Sequence, residues 1–212
     1  MGGLFSPEGK FSHYGGKLAD LMLLNILMIL CSLPIVTAGA SLTAMHYVLL
    51  KIYRDEEGKI VKKVLQSFRE NLKQSTILFL IFGTAIYLML VSMRMIFFSQ
   101  IESIGFIRYL LPVVMAAVIC VFNWTLILQS RYKNTIMGTI RIALMTCFVN
   151  PIRSVIMALL SALPTVMLLL AAENLIIILM AGFALTGFLQ TCLYSGVFDK
   201  LENTNARDLA EQ

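Results

Sequence analysis

From Leu18 to Tyr53 the chain reads LADLMLLNILMILCSLPIVTAGASLTAMHYVLLKIY, 36 residues whose only charged side chains are Asp20 and Lys51. One straight helix of that length would extend ~54 Å, far beyond the ~20 residues that cross a ~30 Å hydrocarbon core. Pro34 stands near the middle. It disfavours helix at Leu33 and suits the first turn of a new helix, so the stretch divides into Leu18–Leu33 and Pro34–Tyr53, each short for a full crossing. The alternative is a single spanning helix kinked near Pro34, with its second half lying in the interface or projecting into the cytoplasm. On this choice hangs the count of membrane spans.

The rest of the chain sets the class. Of its 212 residues 58% are AVILMFWYC and 14% are charged, with a mean hydropathy of +0.83. That excludes an ordinary water-soluble domain, a disordered chain, a disulfide-stapled module and a repeat solenoid, none of which carries such long apolar runs. Ser75 to Phe98 and Tyr109 to Ser130 are each long enough to span a bilayer. Ser154 to Val197 is long enough for two spans turning at Glu173-Asn174, where an interfacial charge costs much less than one at mid-membrane. The first apolar run has no A-x-A cleavage site after it, so it is expected to stay as a membrane helix. The expected fold is all-α: a polytopic transmembrane bundle forming one integral membrane domain over residues 1–212, with short cytoplasmic tails at 1–17 and 198–212.

Charge orients the bundle. With six spans, Lys10 and Lys17, then Lys51, Arg54, Lys59, Lys62, Lys63, Arg69 and Lys73, then Arg131, Lys133, Arg141 and Arg153, and lastly Lys200 and Arg207 all lie inside. These are 15 of the 17 Lys and Arg residues, and only Arg94 and Arg108 remain outside, as the positive-inside rule prefers. Five spans would move Lys10 and Lys17 outside. Six spans with both termini cytoplasmic is the preferred arrangement and five the alternative. The surplus of +5 then belongs to loops held against anionic headgroups, and a nucleic-acid partner is not expected.

Two inner segments read as amphipathic surface helices. Lys59 to Lys73 places Val61, Val64, Leu65, Phe68 and Leu72 at helical spacing with Lys62, Lys63, Arg69 and Lys73 on other faces. This helix is expected at the inner membrane surface, with Val61, Leu65, Phe68 and Leu72 as the candidate contact to a partner or to lipid. Thr135 to Phe148 repeats the pattern more weakly. Setting Ile60 on Ile136 also sets Val64 on Ile140, Phe68 on Leu144 and Leu72 on Phe148, a hint of a parallel internal repeat that shared amphipathicity would also produce.

Chemistry-bearing motifs are absent: no G-x-S-x-G, H-E-x-x-H, GxxxxGK[ST] or GxGxxG occurs, so neither enzymatic activity nor a cofactor is expected. Cys31, Cys120, Cys147 and Cys192 share no metal-ligand spacing and read as small buried hydrophobes. Polar residues inside membranes are functional candidates by default. Counted from the nearest inner cation, Asn25, His46, Asn123 and Gln190 all sit ~8–15 Å into the cytoplasmic half of the bilayer. They are candidates to line one polar pocket open to the inside, joined by Asp20, Trp124 and Tyr194. The plainer reading gives each an interhelical hydrogen bond worth ~0.6 kcal/mol. The small residues Ala38, Gly39, Ala40, Ser41 and Ala44 most simply permit close helix approach.

Three stretches carry a family likeness: Gly16-Lys17-Leu18-Ala19-Asp20-Leu21 with Asn25, then CSLPIVTAGASLTAMHYVLLKIYRDEEG from Cys31 to Gly58, then FRENLKQ from Phe68 to Gln74. Together they resemble the YesL-like family, a bacterial integral-membrane family of unknown function. The family usually shows a Tyr or an aromatic pair where this chain has His46-Tyr47. The resemblance implies a multi-pass protein of the bacterial cytoplasmic membrane, of a group often encoded beside components of ABC importers and polysaccharide-degrading enzymes. It supplies no catalytic residues. The expected role is a non-enzymatic accessory to carbohydrate uptake or utilisation that contacts an ABC-type permease or another membrane partner within the lipid bilayer. The alternative is a small-solute transporter in its own right, acting as a homo-oligomer because six short spans enclose little volume.

Overall fold

The computed structural model describes residues 10–56, 58–98, 105–170 and 182–210, and among these there is no strand. The helices are α1 (Lys10–Cys31), α2 (Ala38–Tyr53), α3 (Ile60–Phe98), α4 (Gly105–Arg131), α5 (Ile136–Val149), α6 (Pro151–Leu170) and α7 (Phe183–Ala210). Three stretches are long and apolar enough to cross a membrane: Ile35–Tyr53, Ile60–Phe97 and Phe106–Arg131. The pair Ile136–Val149 and Pro151–Met167, bent by 110°, adds a fourth if it counts as one span. The expected turn at Glu173-Asn174 lies outside the described residues.

The opening stretch folds as two helices. Pro34 has no N–H to continue α1, and a 3-10 turn over Ile35–Thr37 reverses the chain. Thr37 closes the end of α1: its hydroxyl lies 2.8 Å from the carbonyl oxygens of both Cys31 and Pro34, and the first is an acceptor that the helix end would otherwise leave open. The two helices run antiparallel. Near the turn the buried Ser41 hydroxyl donates to the Met28 carbonyl at 2.6 Å, and at the far end Lys17 pairs with Asp55 at 2.7 Å. The kinked single helix is therefore not what forms.

Between α2 and α3 the chain passes through Asp55 at φ 53° and Gly58 at φ 142°, the latter a conformation that only glycine adopts readily. The next expectation is overturned. No boundary separates an amphipathic helix from a span, because α3 runs unbroken through residues 60–98, ~58 Å at 1.5 Å per residue. Nothing from Leu72 to Ile77 stops a helix: there is no Gly, no Pro and no capping turn. The second inner helix is separate. Thr135 caps α5 by accepting from the Gly138 N–H, and Asn150-Pro151 ends it, proline taking the first position of α6. The halves paired by the repeat thus differ in shape, and also in burial: Leu72 is half-buried whereas Phe148 is exposed. The expected tails are in part helix, since α1 starts at Lys10 and α7 runs to Ala210.

Two apolar clusters hold the bundle. One gathers Trp124, Ile127 and Leu128 of α4 with Tyr194 and Phe198 of α7, Leu78 of α3 and Met157 of α6. The other joins Leu24 and Met28 of α1 with Met45, Val48 and Leu49 of α2, Val64 of α3 and Ala184 of α7. The small residues after Pro34 let α2 and α3 close up at Gly39, where a Cβ would stand 2.5 Å from Phe79 Cβ and 2.6 Å from the Ser75 carbonyl oxygen. Of the cysteines, only Cys120 is buried. Cys31 and Cys147 are half-buried and Cys192 is exposed, so the expectation of four buried thiols holds for one.

Candidate functional site

Three of the four polar residues singled out above meet around one cavity. His46 of α2, Asn123 of α4 and Gln190 of α7 line a space of about 430 Å³ together with residues of α3 and α6, within the range of small-molecule pockets. The cavity does not extend toward the Lys17–Asp55 end of the first hairpin, where its opening was expected. Its remaining lining on α2, α4 and α7, namely Leu42, Met45, Ile119, Phe122, Phe183, Thr186 and Gly187, precedes the trio on each helix and so lies toward the Pro34 turn. Trp124 and Tyr194, expected as further members of the pocket, do not line it; both are fully buried in the core cluster with Phe198.

The hydrogen-bond pattern gives the cavity a definite chemical character. The Asn123 amide donates from Nδ2 to the Ile119 carbonyl at 3.0 Å, and the Gln190 amide from Nε2 to the Met157 carbonyl at 2.8 Å. Each amide must turn its nitrogen to its carbonyl partner, so the oxygen assignment follows from the network. The hydroxyls of Thr186 and Ser161 donate to carbonyls of their own helices. What is left over is the second N–H and the oxygen of each amide, with the Thr165 hydroxyl beside them in the lining. His46 is 4% exposed and its Nδ1 is buried with no hydrogen-bond partner among the described residues.

Asn25 has another place. It is fully buried in α1, and its Oδ1 accepts the Ala184 N–H at 2.9 Å. It ties α1 to the backbone of α7. Replacing Asn25 with leucine is expected to lower stability by ~1–2 kcal/mol, because the Ala184 N–H loses its buried partner. Denaturant unfolding in mixed micelles measures this, and an unchanged midpoint would contradict the role of this bond.

Asp20 is separated from His46. It lines a cleft of about 310 Å³ at the opposite end of the first hairpin, with Lys17, Lys51, Asp55, Glu56 and Lys63. Lys51 reaches Glu56 at 2.7 Å, and this hydrogen bond holds the Glu56 carboxyl below the usual carboxylate range. Lys63 donates to the Glu56 carbonyl at 2.8 Å. Each lysine of the cleft already has a partner, so the cleft ties α1, α2 and α3 together.

Of the expected contact helix, Val61 and Leu65 are exposed while Phe68 and Leu72 are half-buried. The apolar row splits because Val64 and Phe68 pack on the first hairpin. Sequence reasoning missed Thr186, Ser161 and Thr165 as cavity residues. A signal existed: Thr186 precedes Gln190 by four residues and Ser161 precedes Thr165 by four, so each pair shares a helix face.

Residues 21–93 match the family model described as "Protein of unknown function, DUF624". The match covers α1 from Leu21, α2 and most of α3, and so includes Asn25, His46 and the exposed Val61 and Leu65, but not Asn123 or Gln190. No curated protein and no solved structure matches the chain.

Proposed function

We propose that this chain is a non-enzymatic, six-span protein of the bacterial cytoplasmic membrane, with both termini cytoplasmic, that serves carbohydrate uptake by contact with an ABC-type permease or another membrane partner. The observation that carries the reading is an uncovered apolar groove on the first turns of α3. Val61 and Leu65 with Leu23 of α1 form its floor, and Lys59, Lys62 and Arg69 stand around it together with Glu70, whose carboxylate pairs with Lys133. A helix of ~58 Å exceeds the ~30 Å hydrocarbon core, so the cationic start of α3 belongs at the inner interface. An apolar floor rimmed by cations suits an amphipathic segment of a neighbouring membrane protein. The topology draws support from the ion pairs Lys17–Asp55, Lys51–Glu56, Arg54–Asp199 and Lys133–Glu70, which gather at the end of the bundle away from the Pro34 turn. The carbohydrate context draws support only from the resemblance to the YesL-like family.

The test is crosslinking in native membranes followed by purification in mild detergent. A permease subunit is expected with the wild-type protein, and at least ten-fold less of it when Val61 and Leu65 are both glutamate. Recovery of the chain alone sinks the partner reading. The cavity favours a second reading, transport of a small solute by the chain itself, for which uptake into proteoliposomes is the measurement.

A further inference from the structure

The cavity between α2, α3, α4, α6 and α7 carries an inference that is independent of any protein partner. Its wall is mainly apolar, from Leu42 and Met45 through Ile86, Ile119, Phe122 and Phe183, and no Asp, Glu, Lys or Arg lines it. A charged ligand would lose its hydration there with nothing to replace it. A sugar carries several hydroxyls, each needing a partner, and an apolar wall leaves most of them unmet. Besides the hydroxyls of Ser161, Thr165 and Thr186, its polar groups are His46, Asn123 and Gln190. The Asn123 and Gln190 amides have each spent one N–H on a backbone carbonyl, which leaves the other N–H and the oxygen of each for a ligand. The His46 ring is buried beside them with an unpartnered Nδ1. A buried polar group without a partner is costly unless a ligand or water meets it. The ligand that fits has an apolar body and one uncharged head that both donates and accepts hydrogen bonds.

We infer that this cavity binds an uncharged lipid alcohol, its hydroxyl donating to the amide oxygen of one of Asn123 and Gln190 and accepting an N–H of the other, beside His46, and its apolar body lying along the α3, α4 and α6 wall. Such a ligand arrives from the hydrocarbon phase, where the lining helices sit.

Trp124, the chain's one tryptophan, follows Asn123 in α4 and reports occupancy. The purified full-length protein is titrated in micelles with 11-bromoundecan-1-ol, whose bromine quenches indole fluorescence at short range, and with 1-bromoundecane, which lacks the donor. The alcohol is expected to quench saturably and to be displaced by unbrominated 1-undecanol, whereas the alkane quenches only in proportion to its micellar concentration. Replacing Asn123 and Gln190 together with leucine is expected to raise the half-saturating alcohol concentration about ten-fold, the loss of ~1.4 kcal/mol of hydrogen bonding. If that variant does not fold, the comparison of alcohol and alkane on the wild-type protein decides alone. Identical titrations by the two compounds overturn the inference. Displacement of the bromoalcohol by free glucose also overturns it, in favour of a water-borne solute.

Discussion

Replacing Gly39 with leucine is expected to abolish the folded bundle. A Cβ at this position falls 2.5 Å from Phe79 Cβ and 2.6 Å from the Ser75 carbonyl oxygen, and the second of these is backbone that cannot swing aside. Even alanine forces α2 and α3 apart, at a cost of ~1–3 kcal/mol. Leucine adds three more carbons to the same gap and breaks the contact outright. The buried hydrogen bond from Ser75 to Thr43 at 3.0 Å goes with it. Size-exclusion profiles of detergent-solubilised protein should show a monodisperse peak for the wild type, a weakened one for Gly39→Ala and aggregate for Gly39→Leu. A monodisperse Gly39→Leu protein would mean that the two helices do not pack this closely.

Trp124→Ala is the second large effect, with an expected loss of ~3–5 kcal/mol. The indole is fully buried among Ile127, Leu128, Tyr194 and Phe198, and its Nε1 donates to the Ser154 hydroxyl at 2.7 Å. Lipid tails are as apolar as the residues they replace, so the loss comes from packing contacts and the cavity left behind rather than from water exclusion. Trp124→Phe keeps most of the contacts and gives up the hydrogen bond, ~1 kcal/mol. Denaturant titrations of both variants separate the terms. An alanine variant no weaker than the phenylalanine one would remove Trp124 from the centre of the packing.

How far the residues themselves announced this arrangement differs from element to element. The break at Pro34 was legible because proline acts locally: it lacks an N–H and clashes with the preceding turn whatever surrounds it. Its bounds were not, since α1 already ends at Cys31 and α2 starts only at Ala38. The small residues after Pro34 were legible for a similar reason, since close approach needs the absence of side chains. The unity of α3 was not. A change from amphipathic to wholly apolar composition looked like a boundary, but composition records what surrounds a helix and only a stop signal records where it ends. The cavity was legible in part. Counting residues from the inner cations grouped His46, Asn123 and Gln190, which share one cavity. The count gives no azimuth, so it also grouped Asn25, which faces Ala184 of α7 instead, and the cavity extends opposite to the direction expected because the bulk of Trp124 and Tyr194 cannot be assigned a side from spacing alone.

The last helix is held by the first hairpin in its first turn and again beyond its middle: Asn25 meets Ala184 across 159 residues of sequence, and Arg54 meets Asp199 at 2.9 Å across 145. During synthesis the hairpin leaves the ribosome long before either partner exists. Its own turn and its Lys17–Asp55 pair close early, but the groove that receives α7 has to stay open until the final thirty or so residues are made. Completion of the fold is therefore a late event of translation, and a chain truncated before Phe183 is left with an unfilled seam along its oldest part.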